Sequence, residues 1–320
     1  MIELERVSKY YGNRVGVDDL NLSVPKGQIL GLLGPNGAGK TTTMRLITGY
    51  LEPTKGKITI AGYDVVEDGL KARRRIGYLP ENPPVYPDMS VEGDLTFVAR
   101  IREVPRSEVT QAVQHVMGRL ELTNVRKRLI GRLSKGYKQR VGLAQAIVHT
   151  PDVLVLDEPS SGLDPKQITE IRELIRELGK EHTVILSSHI LPEVSALCEQ
   201  VAIINKGKIV AVDRPKSLAQ HIQGSATLKA TVKGPREDVV RTVQQVEGVL
   251  AVKVTKEGEG YVSLSLDVVK GSDPREELFY TLAGRDWPLL ELTRQEANLE
   301  DVFLQLTTEE AGAKEGQRRA

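Results

Sequence analysis

The chain has 320 residues, 40% hydrophobic and 27% charged, with 44 Lys plus Arg against 43 Asp plus Glu. A net charge of +1 and ordinary apolar content exclude a largely disordered chain and argue against bare nucleic acid as the main partner. A single cysteine, Cys198, leaves no intramolecular disulfide and favours a reducing compartment, and no apolar run approaches the roughly 18 residues of a membrane span.

The N-terminal MIELERVSKYYG has no signal-peptide character, so the expectation is a soluble chain whose membrane role, if any, comes through a partner. Gln28 to Leu33 (QILGLL) reads as a strand buried on both faces, and a helix is expected from about Gly39 to Thr48, stopped by Gly49. Between them stands Gly34-Pro35-Asn36-Gly37-Ala38-Gly39-Lys40-Thr41, a Walker A sequence in the strand-to-helix setting that its mechanism needs. Its glycines let backbone N–H groups curl toward phosphate oxygens, and the helix dipole adds about half a positive charge there. Lys40 can reach the β and γ phosphates, the Thr41 hydroxyl can ligate Mg²⁺, and Thr42 can donate to a phosphate. The four fixed positions arise by chance in about one chain in a hundred of this length, and the flanking elements reduce that further. The chain is expected to bind a nucleotide.

Arg73-Arg74-Arg75 reads as the solvated end of a surface helix, because nothing aromatic interleaves it. Pro80 to Pro87 (PENPPVYP) is expected to be an extended loop. Polar, charge-rich helical sequence then runs from about Ser90 to Arg128. Val153 to Leu156 is a second buried strand, and Asp157-Glu158 follow it. An acid at a strand's C-terminal end lies beside the phosphate site, so Asp157 suits a Walker B role toward Mg²⁺, and Glu158 suits the general base.

Asp164-Pro165 opens a helix with Ile168, Ile171, Ile175 and Leu178 on one face. Thr183 to Ser187 is a third buried strand, and Cys198 reads as a small core residue on the helix after it. Val201 to Ile204 and Ile209 to Val212 form a hairpin through Asn205-Lys206-Gly207-Lys208. The five histidines show no metal-ligand spacing.

Five motifs in order give a resemblance over about residues 1–220. Leu133-Ser134-Lys135-Gly136-Tyr137-Lys138-Gln139-Arg140 resembles the signature of ATP-binding-cassette (ABC) ATPases, Ser161-Gly162-Leu163-Asp164 the D-loop, His189 the switch histidine and Tyr11 the adenine-stacking aromatic. The resemblance implies a P-loop ABC ATPase core: a mixed, mostly parallel sheet, an N-terminal antiparallel β-subdomain and a helical subdomain at about residues 85–130. It implies ATP and Mg²⁺ as ligands and a head-to-tail dimer in which Ser134 and Gly136 serve the opposite ATP. It further implies that Asp164 crosses the dimer and that His189 contacts the γ-phosphate. Two features depart from the pattern: Lys135 and Tyr137 replace the commoner Gly and Gln, and Glu81 stands where the family usually has the Q-loop glutamine that senses Mg²⁺.

After about Gly224 the texture changes. Ala226 to Val232, a helix from Pro235 carrying Val239, Val243 and Val246, alternating Leu250/Val252/Val254 and Val262/Leu264/Leu266, a helix from Asp273-Pro274, and Leu289 to Thr293 suggest an α+β ferredoxin-like domain over 225–308, with Trp287 in its core. Asn298 caps a last helix with Leu299, Val302, Phe303 and Leu306, and residues 309–320 read as a flexible tail. The segment Ala297 to Thr307 resembles the ending of ATP subunits of bacterial ABC-2-type exporters, including gliding-motility-like members.

The expectation is an ATP-hydrolysing subunit, cytoplasmic and peripheral on the inner membrane face, that drives export through a separate integral membrane permease, with no nucleic acid partner. One alternative is a soluble ABC ATPase acting on ribosomes or DNA, although such relatives carry two cassettes or a long coiled coil, which this chain lacks. Another is a nucleotide-gated module with negligible turnover, which Glu158 and His189 disfavour.

Overall fold

The apolar runs become strands without an exposed residue: β3 (Ile29–Leu33), β7 (Val153–Asp157) and β8 (Thr183–Ser188) are buried from end to end. In the computed structural model, which describes residues 1–215, 217–218, 225–258, 260–269 and 272–295, they form the centre of a six-stranded sheet. Its order is β10-β9-β3-β8-β7-β6, completed by β6 (Ile76–Leu79), β9 (Gln200–Asn205) and β10 (Lys208–Asp213). All neighbours run parallel except the β9–β10 hairpin, as expected for strands covered by helices on both faces. Each fully buried Leu or Ile here, such as Leu30, Leu32 and Ile185, contributes about 1.5–3 kcal/mol.

Ahead of this sheet lies a separate antiparallel one, β2-β1-β4-β5, from β1 (Ile2–Tyr11), β2 (Arg14–Val24), β4 (Lys55–Ile60) and β5 (Tyr63–Asp64). Its inner residues Leu4, Val7, Leu20 and Ile58 share one core with Met44 and Ile47 of α1 (Lys40–Ile47) and with Val155 and Ile185 of the parallel sheet. The end of β1 is thereby fixed close to the start of α1.

The short helix α2 (Gly69–Arg74) ends in the arginine run, whose Arg74 pairs with Glu103 and Arg75 with Asp152. The helical sequence expected over about 90–128 forms two helices, α3 (Val91–Ile101) and α4 (Val109–Arg119), followed by a 3₁₀ turn at Thr123–Val125. Val104-Pro105 breaks it, because the residue before a proline is pushed out of the helical region. A buried polar pair ties α3 to α5 (Lys135–Ile147): Gln145 Nε2 donates to Asp94 Oδ2 at 2.7 Å. Burial raises the Asp94 pKa, and the Gln145 and Tyr86 hydrogen bonds hold it down. Arg140 of α5 pairs with Glu121 and with Glu170 of α6 (Pro165–Gly179), each at 2.7 Å.

Close packing marks the back of the sheet. A Cβ at Gly31 would stand 2.2 Å from Val194 Cγ1 of α7 (Leu191–Leu197) and 2.9 Å from Cys198 Sγ. Cys198 is buried immediately after that helix, and burial pushes its thiol pKa up, so it serves as a packing residue.

The chain divides into two compact units, Met1–Pro215 and Lys216–Ala320. The second contains β11 (Ser225–Lys233), α8 (Arg236–Gln244), β12 (Val249–Gly258), β13 (Tyr261–Val269), α9 (Arg275–Ala283) and β14 (Leu289–Gln295). Their antiparallel order, β12-β13-β11-β14, is the ferredoxin-like arrangement. Val239, Val243, Leu278 and Leu282 of the helices cover Leu228, Val232 and Leu264 of the sheet, with Trp287 packed at the margin. The alternation expected in β12 is broken: register shifts between Val249 and Ala251 leave Leu250 exposed, while Val252 and Val254 pack against the core. The segment from Ala297 to Thr307 and the tail 309–320 lie outside the described residues.

Candidate active site

The turn between β3 and α1 is built around glycine. Gly39, at φ 112°, stands at the helix N-cap in the left-handed region, and a Cβ there would lie 2.9 Å from Gly16 O. A Cβ at Gly34 would lie 2.5 Å from Ile204 O. The first backbone hydrogen bond of the helix runs from Thr43 N to Gly39 O at 2.9 Å, so the N–H groups ahead of it have no intrahelical acceptor. Such a cradle suits an anion. Lys40 is buried within it and donates to Gly34 O at 2.8 Å and to Pro35 O at 3.3 Å.

Across from the cradle, Asp157 and Glu158 leave the end of β7 in different directions. Asp157 is 2% exposed, and its Oδ1 accepts from Ser187 Oγ at 2.6 Å. Burial raises its pKa, together with the charges of Glu158 and Glu81, while hydrogen bonding to Ser187 and Thr41 opposes the rise.

Glu158 has φ 49°, rare for a side chain of this kind, and its N–H donates to Ser187 Oγ at 2.9 Å. One serine thus fixes both acids. The bend aims the Glu158 carboxylate at two cations or donors: Oε1 lies 3.3 Å from Lys40 Nζ, and Oε2 lies 2.9 Å from His189 Nδ1. His189 follows β8 and stays half exposed.

Lys40, Thr41, Glu158 and His189 line one cavity of about 650 Å³, together with Tyr11, Asn36, Thr42, Glu81 and Ser161, whereas Asp157, Gly34, Pro35 and Ala38 do not line it. Tyr11 is exposed at the end of β1, and the absence of a side chain at Gly16, whose Cβ would be 2.7 Å from the Tyr11 ring, lets it lie there. Ser161 Oγ stands 3.5 Å from Glu81 Oε1. Sequence motifs overlooked Arg14, Val15 and Gly16, which also line the cavity. Only the β1–β2 pairing, which sets Arg14 opposite Tyr11, brings them in.

The remaining expected site residues lie elsewhere. Ser134 caps α5, accepting from Tyr137 N at 3.4 Å, and neither it nor Lys135, Gly136, Tyr137 or Asp164 lines the cavity. Asp164 caps α6, accepting from Gln167 N at 3.0 Å. The two segments meet each other: a Cβ at Gly136 would lie 2.8 Å from the Gln167 amide, and one at Gly162 would lie 2.2 Å from Lys135 Nζ. The unusual Tyr137 has its own local partner, Asn124, at 3.3 Å.

Residues 17–161 match the family described as ABC transporter. Over 310 residues the chain is 31% identical to the linearmycin resistance ATP-binding protein of Bacillus subtilis, covering 96% of this chain and 98% of that one. The chain belongs to the ABC transporter ATP-binding family. A second relative, the Nod factor export ATP-binding protein I of Burkholderia orbicola, is 34% identical and covers 97% of both chains. Among solved structures, cbiO1 of Clostridium perfringens, part of the ABC transporter complex cbiONQ, superposes with a TM-score of 0.63 at 26% identity, over 76% of this chain and 94% of that one. This ABC protein is an ATPase, the ATP-binding and ATP-hydrolysing subunit of a transporter. Among the described residues no helix is long and apolar enough to cross a membrane.

Proposed function

We propose that two copies of this ABC subunit close head to tail on ATP and drive export through an integral membrane permease, from the cytoplasmic face. One observation carries the reading. Lys40, Glu158 and His189 converge on a single cavity, while Ser134 and Asp164 are exposed helix caps outside it and Gly136 is buried against Gln167. An exposed serine at a helix start suits a γ-phosphate that arrives from another subunit. The direction of transport rests on the relatives, one of which is named for Nod factor export.

In this reading the triphosphate lies on the backbone of Gly34 to Thr42, with adenine against Tyr11. Lys40 turns from Glu158 to the phosphate oxygens, which frees the carboxylate to take a proton from the attacking water. His189 bridges Glu158 and the γ-phosphate and holds the water in line.

The donors present suit Mg²⁺. Thr41, Asp157 and Glu81 are hard oxygen donors, and Thr41 and Glu81 line the same cavity. A magnesium ion would therefore rest on these three and on phosphate oxygens, and would supply charge neutralisation at the γ-phosphate. Glu81 brings a negative charge where an amide is usual. Glu81→Gln is expected to keep turnover but to raise the Mg²⁺ concentration for half-maximal rate severalfold, because one ligand charge is lost. An unchanged Mg²⁺ titration would remove Glu81 from the metal site.

Affinity capture of the tagged chain from detergent-solubilised membranes tests the transport reading. An integral membrane protein in stoichiometric amount is expected. Ribosomes or DNA in its place would overturn the reading.

A further inference from the structure

Glu193 is a charged residue that no motif singles out. It lies on α7, and its side chain is 7% exposed. Its Oε2 accepts from Ser160 Oγ at 2.5 Å and from Ser188 Oγ at 3.3 Å, and its Oε1 faces Arg172 of α6 at 3.5 Å. A carboxylate so far from water is retained only where its partners compensate the desolvation.

Each partner belongs to a different part of the site. Ser160 lies two residues beyond Glu158, in the loop that leads to Asp164. Ser188 immediately precedes His189, and its hydroxyl oxygen also accepts from Ile190 N at 3.0 Å, so the histidine is pinned on both sides. Arg172 belongs to the helix that Asp164 caps. A single carboxylate therefore ties the β7 loop, the β8 loop and α6 together behind the Glu158–His189 contact of 2.9 Å.

The geometry points to Glu193 as a positioning residue that sets His189 against Glu158 and makes its placement depend on the loop carrying Ser160 and Asp164. The inference rests on the proposed roles of Glu158 and His189. Glu193 itself touches neither substrate nor reacting atoms. When the Asp164 loop shifts at a subunit contact, Ser160 moves with it, and the shared carboxylate passes that shift to Ser188 and hence to the imidazole. Two hydroxyls on one oxygen make the transfer direct, because neither can move without the other losing its acceptor.

A double-mutant cycle on the full chain tests this. Glu193→Ala in the parent is expected to lower kcat by about tenfold or more, with KM for ATP and the affinity for a fluorescent ATP analogue nearly unchanged. In a His189→Ala background the same substitution should change kcat by less than about twofold, because there is no imidazole left to misplace. Equal fold-losses in both backgrounds would show a merely structural role and overturn the inference, as would parent-like kcat in Glu193→Ala. Parent-like turnover in His189→Ala alone would instead overturn the proposed role of the histidine, so the two failures are distinguishable. Ser160→Ala, which removes only a hydroxyl, runs the same cycle if Glu193→Ala does not fold, with the same expected and overturning outcomes.

Discussion

Exchange of Glu158 for glutamine is expected to lower ATP turnover by about 10²–10⁴-fold, the range that a positioned general base contributes. The amide is isosteric and keeps an oxygen toward Lys40, so the cradle retains its shape. What disappears is the basic site that Glu158 presents beside His189 Nδ1. ATP binding should therefore persist while phosphate release slows by that factor. Steady-state phosphate release and equilibrium binding of ATP, measured on the same preparation, separate the two. Turnover equal to that of the parent would assign the base elsewhere.

Loss of the Lys40 ammonium acts on the other quantity. In Lys40→Ala the β and γ phosphates lose their buried cation, and hydrogen bonds to charged groups are worth about 1.5–3 kcal/mol, so ATP affinity should fall about 10–150-fold. Glu158 adds to the loss, because its carboxylate then faces the triphosphate without the cation now 3.3 Å away. Thermal unfolding should remain cooperative, since the helix around Lys40 keeps its buried Thr43, Met44, Leu46 and Ile47. Isothermal titration with ATP measures the effect. Unchanged affinity would contradict the placement of the phosphates on this loop.

Much of the parallel sheet and its phosphate loop is legible in the sequence, because strands buried on both faces are uninterrupted apolar runs and a phosphate loop needs glycine at fixed places. Gly34 and Gly39 are such places: each approaches another backbone too closely for a side chain. Residues that reach the site through pairing were hidden. Arg14, Val15 and Gly16 carry no motif and enter the cavity because β2 folds back on β1. Glu193 was hidden for a related reason: its partners Ser160, Ser188 and Arg172 are scattered along the chain, and only the packing of α7 behind the sheet gathers them. The bulge in β12 was equally invisible, since alternation of Leu250, Val252 and Val254 describes a regular strand as well as a shifted one. The break at Val104-Pro105 could be read from the proline, but the charge-rich sequence around it masked the two buried faces that α3 and α4 present.

In the proposed cycle, ATP joins two of these chains, each completing the other's hydrolytic pocket. Light scattering or small-angle X-ray scattering of Glu158→Gln under saturating ATP and Mg²⁺ tests it most directly. Particles of twice the single-chain mass, reverting when nucleotide is removed, are expected. Single-chain particles under those conditions, with parent turnover still rapid and strictly proportional to protein concentration, would contradict it.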